Sequence, residues 1–205
     1  MIIKRLFDIF FSLLLIILLS PFLLIISILI LTTSGFPIIF KQVRICQHGK
    51  PFTIYKFRTM RNNDQLNTIS VSGDLRITTI GKYLRKSKLD ELPELFNILK
   101  GDMSFVGYRP DVPGYYDKLG DEYKKILDFK PGLTGPASLK YINEERILSS
   151  VRNPKEYNDN EIFPDKLKIN MLYVENWSFL LDIKIILYTI FRIKFSENNF
   201  FKHES

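Results

Sequence analysis

Residues 9–40 read Ile9-Phe-Phe-Ser-Leu-Leu-Leu-Ile-Ile-Leu-Leu-Ser20-Pro21-Phe-Leu-Leu-Ile-Ile-Ser-Ile-Leu-Ile-Leu-Thr-Thr-Ser-Gly-Phe-Pro-Ile-Ile-Phe40, with no charged side chain anywhere in the run. About 20 apolar residues suffice to cross a bilayer as a helix. Pro21 interrupts the run near its middle. It has no N–H for the carbonyl of Ile17, and its ring crowds that turn. It also biases Ser20 away from helical geometry. In lipid the freed carbonyl needs another donor, and the Ser20 hydroxyl is the nearest one.

Working outward, both flanks are basic: Lys4 and Arg5 before the run, and Lys41, Arg44, Lys50, Lys56, Arg58 and Arg61 after it. A spanning helix usually has one positive flank, on the cytoplasmic side. Two readings fit these residues equally: a kinked spanning helix, and a helix-break-helix at Ser20-Pro21 that dips into one leaflet and returns.

The chain is 205 residues with net charge +7 and a 46% hydrophobic fraction. That is enough for one domain beside a membrane element. Next to such an element a basic balance points to anionic lipid, at about 1 kcal/mol per cation near the leaflet. No nucleic-acid-binding signature is present. One cysteine (Cys46) and two histidines (His48, His203) leave neither an internal disulfide nor a Cys/His zinc site. Chemistry here falls to carboxylates, lysines and arginines.

Beyond the membrane element, Ile38–Ile45 and Phe52–Met60 read as a β-hairpin around Gln47-His48-Gly49-Lys50. Asn62–Asp74 reads as a loop and Thr79–Lys86 as a short basic helix. The spacing predicts an amphipathic helix over Asp90–Lys100, with Leu92, Leu95, Phe96 and Leu99 on one face and Gly101 as its stop. Tyr115–Leu127 reads as a polar helix and Asn143–Asn160 as a polar excursion with the character of a lid. Lys166–Phe195 reads as two helical stretches around Asn176. The second, Phe179–Phe195, suits either an interfacial helix or a core helix.

Asp90-Glu91 stands out among the candidate chemical groups. At the start of a helix the free N–H groups and the dipole favour anions, including phosphate. Paired carboxylates in a basic cluster (Arg85, Lys86, Lys88) can share a magnesium ion with substrate phosphates, and one of them can attack phosphorus. Asp90 as a simple helix cap competes with that reading. Arg109, in the turn Gly107–Pro110, can bind phosphate bidentately. Lys56 lies on the second strand. Glu144-Glu145 reads as a solvated pair.

In chain order these pieces resemble the monotopic phosphoglycosyl transferases, the bacterial sugar transferase family. The resemblance runs through Phe40-Lys-Gln-Val-Arg44, Ile54-Tyr-Lys-Phe-Arg-Thr-Met60 and Asp74-Leu-Arg76-Ile-Thr. It continues through Gly81, Leu84-Arg85, Leu89-Asp-Glu-Leu-Pro93, Asn97-Ile-Leu-Lys-Gly-Asp-Met-Ser-Phe-Val-Gly107, Lys130-Pro-Gly-Leu-Thr-Gly135 and Ser178-Phe-Leu-Leu-Asp-Ile-Lys184.

That resemblance implies a mixed α+β, mostly helical fold: a re-entrant membrane helix (residues 1–36) and a small membrane-associated catalytic domain (37–205) with a β-hairpin and interfacial amphipathic helices. It implies transfer of a sugar-1-phosphate from a nucleoside diphosphate sugar, such as a UDP-sugar, to polyprenyl (undecaprenyl) phosphate. The setting would be the cytoplasmic face of a bacterial inner membrane. Asp90 would be the nucleophile, and Glu91 a metal partner or base with Mg2+. Lys56, Arg85 and Arg109 would bind phosphate, and a homodimer is compatible. An inactive membrane scaffold and a lipid-binding module are the competing readings. Two departures stand out. Tyr108 replaces the first proline of a Pro-Arg-Pro element. Pro136 and Ile142 replace a tryptophan and an arginine, leaving Lys140 or Arg146 to replace that arginine.

Overall fold

The computed structural model of the chain describes residues 1–61 and 74–201, so the loop read over Asn62–Asp74 lies almost wholly outside the described residues. The fold is mixed and mostly helical. Helix α1 (Ile2–Ser34) runs unbroken through Pro21, where the sequence predicts a break. Its backbone stays satisfied because Ser20 Oγ donates to the Ile17 carbonyl at 2.8 Å, the carbonyl that proline deprives of a partner. At 1.5 Å per residue α1 is about 50 Å long. It is long and apolar enough to cross a membrane.

Strands β1 (Ile39–Ile45) and β2 (Pro51–Phe57) form the expected antiparallel hairpin, pairing Ile39 with Phe57 through Ile45 with Pro51. Helix α2 (Thr79–Ser87) opens on a Thr78 cap whose hydroxyl accepts the Gly81 N–H at 3.0 Å. Lys88 then takes a left-handed conformation (φ 61°) and turns the chain into a single 3-10 turn, Leu89–Glu91.

Helix α3 is shorter than its periodicity predicts, Glu94–Lys100, because Pro93 occupies its N-cap. Asp90 and Glu91 therefore sit in the preceding turn and not in a helical first turn. The buried face is also different: Glu94, Leu95, Asn97 and Ile98 point inward, while Phe96 is 46% exposed. Of the two polar residues, Asn97 points inward because its amide is paired on both sides, while Glu94 lies 3.2 Å from Lys56 Nζ. The Asn97 amide donates to Thr53 O at 2.7 Å and accepts Tyr55 N–H at 3.0 Å, closing the free edge of β2 as another strand would. Gly101 (φ 101°) ends α3, its N–H reaching the carbonyls of Asn97 and Ile98.

A short parallel pair follows, β3 (Ser104–Val106) with β4 (Gly132–Thr134). The two backbones nearly touch. A Cβ on Gly107 would lie 2.2 Å from Lys130 O, and one on Gly132 would lie 2.1 Å from Gly107 N, so the two glycine-bearing motifs meet as one crossing. The polar helix predicted over 115–127 is instead two 3-10 segments, Tyr116–Lys118 and Asp121–Asp128. The excursion 143–160 carries helices: after α4 (Pro136–Lys140) come α5 (Glu144–Ser149), α6 (Pro154–Tyr157) and a π-helical turn (Asn158–Ile162). Helices α7 (Phe163–Glu175), α8 (Phe179–Ile190) and α9 (Glu197–Phe200) complete the described residues. Val106, Ile169, Tyr173, Leu181, Ile185 and Phe200 join them in one core.

The globular body grips α1 along most of its length. Leu15, Ile16 and Leu19 pack on Phe52, Leu95, Ile98 and Met103, and Leu23, Ile26 and Ile30 pack on Phe57, Leu84 and Leu92. Each aliphatic side chain fully buried there contributes about 1.5–3 kcal/mol. Three of the flanking cations are part of this grip. Lys4 is 7% exposed and meets Asp182 at 2.6 Å and Val106 O at 2.9 Å. Arg5 donates to Ile98 O and Leu99 O at the end of α3. Arg58 donates to the carbonyls of Ser34, Gly35 and Phe36 at the end of α1.

Candidate active site

Strand β2, the 3-10 turn and the loop after β3 converge on Glu91. Glu91 Oε1 accepts from Lys56 Nζ at 2.8 Å and from the Arg109 guanidinium. Lys56 also lies 3.2 Å from Glu94 Oε1. Burial alone would push the Glu91 carboxyl up. Arg109 and Lys56 more than reverse this and hold it well below the ordinary glutamate range. In return Glu91 holds the Arg109 guanidinium more firmly protonated. Glu94 is 1% exposed, and burial, only partly offset by Lys56, pushes its carboxyl up to about 7.

Asp90 differs from both. It is 8% exposed, and its Oδ1 is buried with no hydrogen-bond partner. Burial first, then the neighbouring Glu91 charge, raises its carboxyl above the ordinary aspartate value, with Lys56, Arg85 and Lys88 pulling the other way. A buried acceptor without a donor is costly, and strained backbone gathers at functional sites. The left-handed Lys88 two residues upstream is of that kind.

The structure thus brings four predicted site residues, Lys56, Asp90, Glu91 and Arg109, into one cluster. Arg85 lies close enough to act on Asp90 electrostatically, but its guanidinium is paired with Glu145 of α5. Glu144-Glu145 is therefore not a solvated pair: Glu145 holds Arg85, and Glu144 holds Lys166 at 2.7 Å. Lys140 does not replace the missing arginine, since Asp165 (2.9 Å) and Glu197 (3.2 Å) occupy it. Arg146 and Ile142 are exposed. Ser20 and Pro21 lie in α1, where the Ser20 hydroxyl serves the Ile17 carbonyl. Sequence reasoning missed Glu94 and Asn97. The signal was the polar pair Glu94 and Asn97 at i, i+3 inside an apolar face.

The carboxylates fit a magnesium ion that arrives with a phosphate substrate. Such an ion needs only one or two protein oxygens, and Asp90 Oδ1 is an oxygen in want of a partner. They do not form a cage by themselves. Among the described residues no three acidic, histidine or cysteine groups gather around one point, and both Glu91 oxygens already face Arg109.

The profile of the bacterial sugar transferases matches residues 1–196, and the chain belongs to that family. It is 41% identical to a Klebsiella pneumoniae UDP-glucose:undecaprenyl-phosphate glucose-1-phosphate transferase. That match covers 94% of this chain but only 40% of the longer relative. It is 37% identical to the Bacillus subtilis sugar transferase EpsL, described as uncharacterized, over 96% of this chain and 90% of the relative. It is 36% identical to the Rhizobium leguminosarum exopolysaccharide production protein PSS, over 93% and 94%.

Proposed function

We propose that the chain is a phosphoglycosyl transferase that moves a sugar-1-phosphate from a UDP-sugar to undecaprenyl phosphate, the first step in building a bacterial surface glycan. Family membership and relatives named for this reaction support the class. The observation that carries the site is Asp90, a buried carboxylate with an unpartnered oxygen among Lys56, Arg85 and Lys88.

An Asp90 oxygen attacks the β-phosphorus of the donor. The bond from that phosphorus to the bridging oxygen breaks, and the nucleoside monophosphate leaves. An oxygen of undecaprenyl phosphate then attacks the same phosphorus and expels the Asp90 carboxylate, giving the lipid diphosphate sugar. Phosphoryl transfer depends chiefly on positioning and charge neutralisation. Lys56, Arg85 and Arg109 supply that charge once the diphosphate takes them from their carboxylates. Asp90, with Glu91 after its cations turn away, would hold magnesium, which neutralises diphosphate charge when bound.

A membrane site follows from the exposed apolar side of α1, which includes Ile3, Phe10, Leu14, Ile17, Leu24 and Ile28. Since one body ties down both Lys4 and the Ser34–Phe36 carbonyls, both ends of residues 1–36 would stay on one side of the bilayer, at the cytoplasmic face. The membrane element then lies in one leaflet, with 37–205 as the catalytic domain. The exposed Leu180, Leu187, Ile190 and Phe191 of α8 and its end would rest at the same interface.

Purified protein given UDP-sugars without lipid should gain the mass of a phosphosugar on Asp90, and Asp90→Asn should not. Turnover that persists in Asp90→Asn would overturn the assignment. In a Cys46→Ser background, cysteines at positions 2 and 61 should both label from the cytoplasm. Labelling from opposite sides would mean a spanning helix.

A further inference from the structure

We infer that Glu94 is a positioning residue that holds Lys56 in reserve and competes with the donor diphosphate for it. The inference rests on the donor reading above and deepens it. Glu94 is nearly inaccessible and takes no part in the transfer chemistry just described. Its Oε1 faces Lys56 Nζ at 3.2 Å, but the contact lacks hydrogen-bond geometry, and that oxygen has no other partner. Lys56 spends its short contact, 2.8 Å, on Glu91.

The charged groups around Glu94 come from every side. Lys56 comes from β2, Glu91 from the 3-10 turn, Arg109 from the loop after β3 and Arg44 from β1. Arg109 is committed to Glu91, and Arg44 lies 3.4 Å from Asp111 and 2.6 Å from Gln42 Oε1. That leaves Lys56 as the mobile cation between two carboxylates. A lysine ammonium on a flexible stem can turn from one anion to another without rebuilding a planar fork.

Measured near pH 8, above the value of about 7 to which burial pushes its carboxyl, Glu94 carries its charge, and removing that charge while keeping the shape should free Lys56 for the donor. Glu94→Gln should bind UDP about tenfold tighter than the wild type, the size of a single close charge-pair coupling. It should lower KM for a UDP-sugar and leave kcat within about twofold. The effect must run through Lys56. In a Lys56→Met background, adding Glu94→Gln should change UDP affinity by less than about twofold, because the coupling has lost its partner. Glu94→Asp, whose carboxylate is withdrawn by one methylene, should show the same direction with a smaller gain. It serves equally if the glutamine variant does not fold.

UDP that binds with equal affinity to the wild type and both Glu94 variants would overturn the inference and leave the donor reading standing. So would an effect of the same size with and without Lys56, which would mark Glu94 as merely structural. No binding of UDP to the wild type would overturn the donor reading and this inference with it.

Discussion

Replacing Lys4 by methionine should unfold this protein far more readily than its place at the edge of a membrane helix suggests. The Lys4 ammonium lies 2.6 Å from Asp182 and 2.9 Å from Val106 O, and both charged side chains are almost wholly inaccessible, at 8% and 4%. Removing one partner of a buried ion pair leaves the other charge uncompensated and costs about 3–5 kcal/mol. Asp182 keeps the Tyr173 hydroxyl at 2.6 Å and Trp177 Nε1 at 3.2 Å, which favours the lower end. Val106 O loses its donor, worth about 1 kcal/mol more. At this chain length each kcal/mol lowers Tm by about 2–4 °C, so the expected drop is roughly 8–24 °C. A lysine that merely met lipid headgroups would contribute only about 1 kcal/mol, and only on anionic membranes. The assay is thermal unfolding in zwitterionic detergent, where that headgroup attraction is absent. Lys4→Met with Asp182→Leu should recover at least half of the loss, since an apolar pair needs no compensation. A drop below about 2 °C in the single variant, or no recovery in the double, would refute the argument.

Asn97→Ala should cost about 2–6 kcal/mol in denaturant unfolding, since it leaves Thr53 O and Tyr55 N–H of β2 unpaired at about 1–3 kcal/mol each. An effect below 1 kcal/mol would mean that β2 does not depend on that amide. Gly107→Ala should abolish folded expression, as its Cβ would lie 2.2 Å from Lys130 O and 2.9 Å from Gly132 N, both backbone atoms. Soluble, active protein would refute the close crossing. Glu94 has its folded carboxyl near 7, above the ordinary 4.5, so the native state holds a proton that the unfolded chain has released. Its stabilising contribution is complete below about pH 4.5 and disappears as pH rises through about 7. Glu94→Gln should therefore gain stability relative to wild type from about pH 5 to about pH 8, and a constant difference would contradict this.

The sequence marked the elements well wherever one physical signal dominated. The β-hairpin, α2, the Gly101 stop and the two helices around Asn176 stand where composition and turn chemistry put them. The carbonyl left free by Pro21 also finds the donor expected for it. Misreadings came where a tertiary partner overrode a local rule. Period 3.6 placed Phe96 inside and overlooked Asn97, because no periodicity reveals that β2 has an open edge in need of an amide. The spacing predicts a helix beginning at Asp90, but Pro93 intervenes. It is the cap of a shorter one, so the dipole argument for Asp90 loses its basis. Charge counting assigned the basic balance as a whole to anionic lipid, and Lys4, Arg5 and Arg58 do not follow it. They reach instead for a buried aspartate and for carbonyls at two helix ends, contacts up to 178 residues apart in sequence that no local window contains.

The three acids of Leu89-Asp-Glu-Leu-Pro-Glu94 show why residue type alone leaves a site underdetermined. All three are buried, and desolvation raises the carboxyl of each. Their partners separate them. Glu91 faces two cations and stays ionised, which fits it to organise charge and makes it a poor nucleophile, because its oxygens are already shared. Glu94 has a distant share of one cation and tends toward neutrality. Asp90 has no hydrogen-bond donor on Oδ1, yet Lys56, Arg85 and Lys88 still act on it. An oxygen meant to attack phosphorus must be ionised but not occupied. Asp90 fits the second condition: its Oδ1 is unoccupied, and although burial and Glu91 raise its carboxyl, Lys56, Arg85 and Lys88 pull it back down, Lys56 and Arg85 while bonded to Glu91 and Glu145.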